Sequence, residues 1–133
     1  SIGGFKEYWD LIRKYAKYQG GFIWDFADQG LHWNRNGIEF YAYGGDFNTR
    51  DASDQNFCNN GIVGPDRTPH PHADEVAYQY QNIWATPVDL TQGKISIYNE
   101  NFFKDLSNYY LQWELLENGQ ACQTGCINRL DVQ

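Results

Sequence analysis

Two carboxylates, Asp25 and Asp28, stand three residues apart just after an apolar run that ends in an indole, Phe22, Ile23 and Trp24, all within GGFIWDFADQ (Gly20 to Gln29). An aromatic platform beside carboxylates suits the rim of a sugar site, where a flat ring covers one face of the ligand and polar groups meet its hydroxyls. The run Phe22 to Trp24 lacks the alternation of a half-exposed strand and reads as a parallel strand covered on both faces. In a closed barrel of parallel strands the chemistry sits at the carboxyl ends, which makes Trp24, Asp25 and Asp28 ligand-facing. The same residues also allow a core Trp beside a loop-capping Asp.

A second candidate lies in the stretch Tyr43 to Arg67, rich in Gly, Asp and Asn and without sustained periodicity, which reads as a long ordered loop. Within it DASDQNFCNN (Asp51 to Asn60) offers the side-chain and backbone oxygens that hard cations prefer, although the EF-hand pattern is not met. The prolines of Arg67-Thr68-Pro69-His70-Pro71-His72 stiffen an extended segment. If it is strand-like, His70 and His72 point the same way, yet two histidines without a third ligand are more often turn residues than a metal site. Cys58, Cys122 and Cys126 neither pair off evenly nor match a zinc spacing, so buried thiols are expected; a Cys122–Cys126 bridge would need a tight turn.

The elements that must position these groups follow from periodicity. Phe5, Tyr8, Trp9, Ile12 and Tyr15 recur at helical steps opposite Lys6, Glu7, Arg13, Lys14 and Lys17, an amphipathic helix lying on a sheet, with Gly20 and Gly21 ending it or its loop. Asn36-Gly37, flanked by Leu31, Trp33, Ile38 and Phe40, signals a hairpin decorating the barrel mouth. Pro71 to Trp84 reads as a second sheet-packed helix. Beyond it Pro87 to Leu90, Lys94 to Asn99 and Tyr109 to Leu116 alternate apolar and polar residues, with turns at Gln92-Gly93 and Asn118-Gly119. That places a boundary near Ala85 and about three strands of an antiparallel sandwich after it, too few to bury two sheets. The chain reads as cut from something larger.

At 133 residues with 41% apolar content the chain is one ordinary domain or parts of two. Its 5 Trp, 10 Tyr and 8 Phe favour a rigid core or flat sugar-stacking surfaces. A formal charge of -7 opposes nucleic acid and anionic membranes as partners. There is no apolar run of membrane-spanning length and no signal-peptide pattern, which leaves the compartment, cytoplasmic or periplasmic, open.

GGFIWDFADQ, then YGGDF, QNFCNNGIVGPDRTPHP and the Tyr- and Gln-rich helix closely resemble, in that order, the end of the catalytic barrel of β-galactosidases in glycoside hydrolase family 2. The likeness reaches back through SIGGFKEYW, covers Ser1 to Trp84 well and continues more weakly to Gly125. It implies an α+β fragment: the C-terminal part of a (β/α)8 TIM barrel at residues 1–84, followed at 85–133 by the first strands of an immunoglobulin-like antiparallel β-sandwich.

Position by position, the resemblance implies that Trp24 forms a wall of the galactose pocket. Phe57 offers a backbone carbonyl to a sodium ion beside the sugar, Asn60 is that ion's side-chain ligand and lies close to the sugar, and Asp54 shares the active-site loop. Magnesium is also implied for the parent enzyme, but Ser53 stands where relatives carry an Asn ligand and the loop Asn48 to Ala52 differs by an insertion, which puts the second magnesium site in doubt. Retaining glycosidases need two carboxyl groups about 5 to 5.5 Å apart. In the family both are glutamates upstream of the stretch matching Ser1, so the resemblance implies that this chain holds neither; Asp25 and Asp28 read as binding or orienting acids. The reading is a segment of an enzyme hydrolysing terminal β-galactosides with retention, inactive alone, needing the rest of its parent chain and prone to self-association. A non-catalytic carbohydrate-binding module is the alternative.

Overall fold

The computed structural model describes residues 3–132, the side chain of Asn56 excepted; Ser1 and Ile2, where the resemblance begins, lie outside them. The chain forms two compact units, residues 1–80 and 81–133.

In the first unit, α1 (Phe5–Lys14) is amphipathic as expected, with Glu7 in its first turn and Arg13 and Lys14 in its last, complementing the helix dipole, but its main packing partner among the described residues is a helix rather than the expected sheet. It stops at Tyr15, earlier than the Gly20-Gly21 pair. Its aromatic face meets α3 (Ala73–Gln79): Trp9 packs edge-on against Tyr80 at 4.9 Å, Phe5 lies 5.7 Å from the same ring, and Arg13 Nη2 donates to the carbonyl of Gln79 at 2.8 Å. β1 (Leu31–Arg35) and β2 (Ile38–Ala42) pair antiparallel around Asn36-Gly37, both at positive φ (56° and 80°), the geometry of a type I′ turn. Trp33 stacks on Phe47 of the short helix α2 (Gly44–Phe47) at 4.8 Å, with the Arg35 guanidinium 4.7 Å from the indole centre. A single 3-10 turn, Gln55–Cys58, organises the remainder of the long loop.

Two expectations change here. The run Phe22 to Trp24 is extended but is not a regular strand, and Phe22 and Trp24 are exposed. Among the described residues the parallel pairing shrinks to one bridge, Ala27 with Val63. A parallel strand is stable when neighbours occupy both edges and helices both faces, and the described residues supply one partner segment. The second helix also ends at Gln79 rather than Trp84, because Ile83 and Trp84 join a strand.

That strand, β3 (Ile83–Asp89), pairs antiparallel with β4 (Lys94–Asn99), and β5 (Leu111–Glu117) with β6 (Gln120–Ile127). Among its described residues the second unit therefore holds four strands rather than about three, in two separate hairpins. Pro87, which cannot donate to the ladder, precedes a register shift before Asp89. Asn118 and Gly119 turn β5 into β6 at φ 50° and 81°. The Trp113 indole covers its cross-strand partner Gly125. Leu106 and Leu130 are buried in this unit, as are Ala42, Val63 and Val76 in the first. Cys122 and Cys126 are exposed free thiols and Cys58 is half-buried, contrary to the expectation of buried thiols: β6 has no covering layer among the described residues.

Candidate functional site

The polar groups singled out above gather where residues 25–29 run beside residues 58–63. Asp25 N donates to the Asn60 carbonyl at 3.1 Å, Gln29 N to that of Cys58 at 2.8 Å and Asp28 N to that of Val63 at 2.9 Å; the amides of Ile62 and Val63 return bonds to the Phe26 carbonyl at 2.9 and 3.0 Å. A β-carbon at Gly61 would lie 2.2 Å from Asp28 N, so only glycine fits this crossing.

Asp28 sits at its centre. Its Oδ1 accepts from Gly61 N at 2.7 Å and its Oδ2 from His70 Nε2 at 2.8 Å, and its side chain is only 11% exposed. Burial pushes its pKa up, but the His70 hydrogen bond, the Gly61 amide and the nearby imidazoles outweigh that and hold the carboxyl below the ordinary value. A carboxylate so engaged orients its neighbours; the loop-bracing reading of Asp28 fits better than a ligand-facing one. His72 Nε2 donates to the Gly61 carbonyl at 3.0 Å, and the two imidazoles stack at 5.5 Å. Pro71 and His72 lie in a turn rather than a strand, and the two rings have different partners, His70 the Asp28 carboxylate and His72 the backbone. Their role was missed in the sequence because their partners lie 42 and 11 residues away, separations without a local pattern. Asp25 Oδ2 accepts from Gln29 Nε2 at 2.7 Å, while its buried Oδ1 meets no donor among the described residues.

Trp24, directly before Asp25, is 70% exposed. The Asn60 side-chain amide converges on the Phe57 carbonyl, its Nδ2 donating to that oxygen. Turned end for end, the same amide sets Oδ1 beside the carbonyl, two neutral oxygens of the kind a hard cation takes. Asp54, exposed at the start of this turn, accepts from Phe57 N through its backbone carbonyl at 3.0 Å. Ser53 Oγ accepts from Gln55 N at 3.3 Å. Among the described residues no group of three or more His, Cys, Asp or Glu could hold a metal. Beside the crossing lies a hollow of about 490 Å³ lined by Asp28, Tyr41, Asn59, Gly61, His70 and His72 among others.

Residues 1–85 match the family model described as glycosyl hydrolases family 2, TIM barrel domain, which gives the first unit its class, a segment of a TIM barrel. The chain belongs to glycoside hydrolase family 2. It is 46% identical over 130 residues to a beta-galactosidase of Vibrio vulnificus, covering 96% of this chain and 12% of that protein. It is 45% identical over 136 residues to a beta-galactosidase of Photobacterium profundum, covering 99% of this chain and 13% of the relative. A beta-galactosidase of Halalkalibacterium halodurans is 47% identical over 120 residues, 90% of this chain and 11% of its own length. The chain thus spans about an eighth of the length of these curated relatives. No helix among the described residues is long and apolar enough to cross a membrane.

Proposed function

We propose that this chain is a segment of a β-galactosidase that hydrolyses terminal β-D-galactosides by a retaining double displacement. Residues 1–84 form the C-terminal part of its catalytic TIM barrel and residues 85–133 begin an immunoglobulin-like β-sandwich. The observation that carries the reading is the 46% identity to a beta-galactosidase across nearly the whole chain.

In this reading Trp24 is a wall of the galactose pocket, consistent with its exposure beside the strand crossing. Asn60 and Asp54 contact or flank the sugar, and the Phe57 carbonyl with the Asn60 amide oxygen holds sodium, supported by the convergence of those two groups. Bound sodium supplies a fixed positive charge next to sugar hydroxyls. Magnesium belongs to the parent enzyme, and the second magnesium site is doubtful at Ser53. The acid/base and the nucleophile are glutamates of the parent outside these residues, so the 133-residue chain alone is inactive.

Exposed Tyr8, Tyr15, Phe22 and Phe26 are faces that the remainder of the parent barrel covers; in isolation they drive self-association, visible in size-exclusion chromatography as a concentration-dependent rise in apparent mass. A compact monomer at every concentration would contradict this.

The test of function is a hybrid, the Vibrio vulnificus beta-galactosidase carrying this chain in place of its matching segment. Turnover of a chromogenic β-galactoside by the hybrid, with none by the chain alone, is expected. A folded but inactive hybrid, together with saturable galactose binding by the isolated chain in tryptophan fluorescence, would make it a carbohydrate-binding module instead.

A further inference from the structure

The Asn60–Gly61 peptide group is held on both sides by the first acidic segment: its carbonyl accepts from Asp25 N at 3.1 Å and its N–H donates to Asp28 Oδ1 at 2.7 Å. The next carbonyl along, that of Gly61, accepts from His72 Nε2 at 3.0 Å. Asp28 is itself fixed by His70 Nε2 at 2.8 Å, and His70 is tied to the same segment through its backbone, its N–H donating to the Ile62 carbonyl at 3.1 Å. We infer that Asp28 is a positioning residue whose bonds to Gly61 and His70 set the orientation of Asn60, and through it the meeting of the Asn60 amide with the Phe57 carbonyl.

The chemistry makes the demand specific. Both bonds to Asp28 come from N–H donors, so both of its oxygens must accept, and only an ionised carboxylate offers acceptors on both sides. An amide in its place turns one oxygen into a donor facing a donor, and either Gly61 or His70 loses its partner. Glycine at 61 lets the backbone reach the acid, because any β-carbon would collide with Asp28 N and with the Val63 carbonyl oxygen, 2.5 Å away. Freed from Asp28, the Asn60–Gly61 peptide can rotate and carry the Asn60 side chain off the Phe57 carbonyl. Misplacement of a ligand-holding group by even 1 Å weakens function by up to about 100-fold.

The assignment of Asn60 to sugar and sodium rests on the function proposed above, so the test has two independent arms. In the 133-residue chain, amide hydrogen exchange followed by NMR should show Asp28→Asn raising the exchange rates of Gly61 and Asp25 by about tenfold or more, with β5–β6 amides unchanged. Unaltered protection at Gly61 and Asp25 would overturn the inference whatever the protein's function. In the hybrid, Asp28→Asn should raise KM and the calorimetric Kd for galactose by about tenfold, with a smaller change in kcat. His70→Gln, which keeps an N–H donor, should restore most of that affinity relative to His70→Ala. Equal KM and Kd in the Asp28→Asn and unsubstituted hybrids would refute the positioning role, while an unsubstituted hybrid without activity would count against the functional reading and leave the exchange result to decide this one.

Discussion

The backbone of Gly61 passes over the amide of Asp28 so closely that a β-carbon at 61 would stand 2.2 Å from that nitrogen, while the Gly61 N–H donates to the Asp28 carboxylate at 2.7 Å. The atoms in the way are backbone, which cannot swing aside. Gly61→Ala is therefore expected to destabilise the first unit by about 3 kcal/mol, the upper end of the cost of overpacking. Gly21→Ala, in open space, should change stability by less than about 0.5 kcal/mol. Urea midpoints of the two variants against the parent chain check this; similar midpoints would mean that the crossing is looser than described.

Asp28 makes stability depend on acid. Burial alone would raise its pKa, and the His70 bond, the Gly61 N–H and the imidazole charges lower it further than burial raises it. A group depressed in the folded state stabilises fully above its unfolded pKa, and that contribution is lost as pH falls through the folded one. Stability should therefore decline below about pH 4, and Asp28→Asn should flatten the decline. Carboxyl carbon chemical shifts give the direct reading: Asp28 should titrate below the ordinary carboxylate value, and titration above it would contradict the described bonds.

Gly125 offers a contrast with Gly61. A β-carbon there would come within 2.5 Å of the Trp113 indole, a side chain on a surface strand, half-exposed and able to turn outward. Gly125→Val should cost only about 1 kcal/mol and shift tryptophan emission to the red as the indole leaves the strand. A loss as large as that at Gly61, without a spectral shift, would show the ring to be pinned.

Local features were the ones legible from residue types. The helical stripe that starts at Phe5, present up to Lys14 and stopping short of Tyr15, the Asn36-Gly37 and Asn118-Gly119 turns and the alternation of Lys94 to Asn99 each depend on neighbours a few residues apart, and each is found in place. The run Phe22 to Trp24 reads as a buried strand because its residues suit one, yet burial is conferred by partner strands, and these are not among the described residues. Trp84 has the spacing of a helix and sits in β3, where it pairs with Tyr98; pairing across a turn overrode the pattern. At the candidate site, residue types alone pointed to Trp24 and to the oxygen-rich loop Asp51 to Asn60, and the resemblance added the separate roles expected of Phe57, Asn60 and Asp54, while the Asp28–His70 and His72–Gly61 bonds, bridging distant segments, carried no signal in the residue order.

The central claim is that this chain supplies the sugar wall of a β-galactosidase, and Trp24 tests it most directly. The decisive measurement is kcat/KM for a chromogenic β-galactoside in the Vibrio vulnificus hybrid, with and without Trp24→Ala. An active hybrid that loses at least about tenfold on the substitution, ~1.4 kcal/mol of transition-state binding, is expected. An active hybrid indifferent to Trp24→Ala would contradict the assignment of Trp24, and a folded hybrid with no activity would contradict the claim itself.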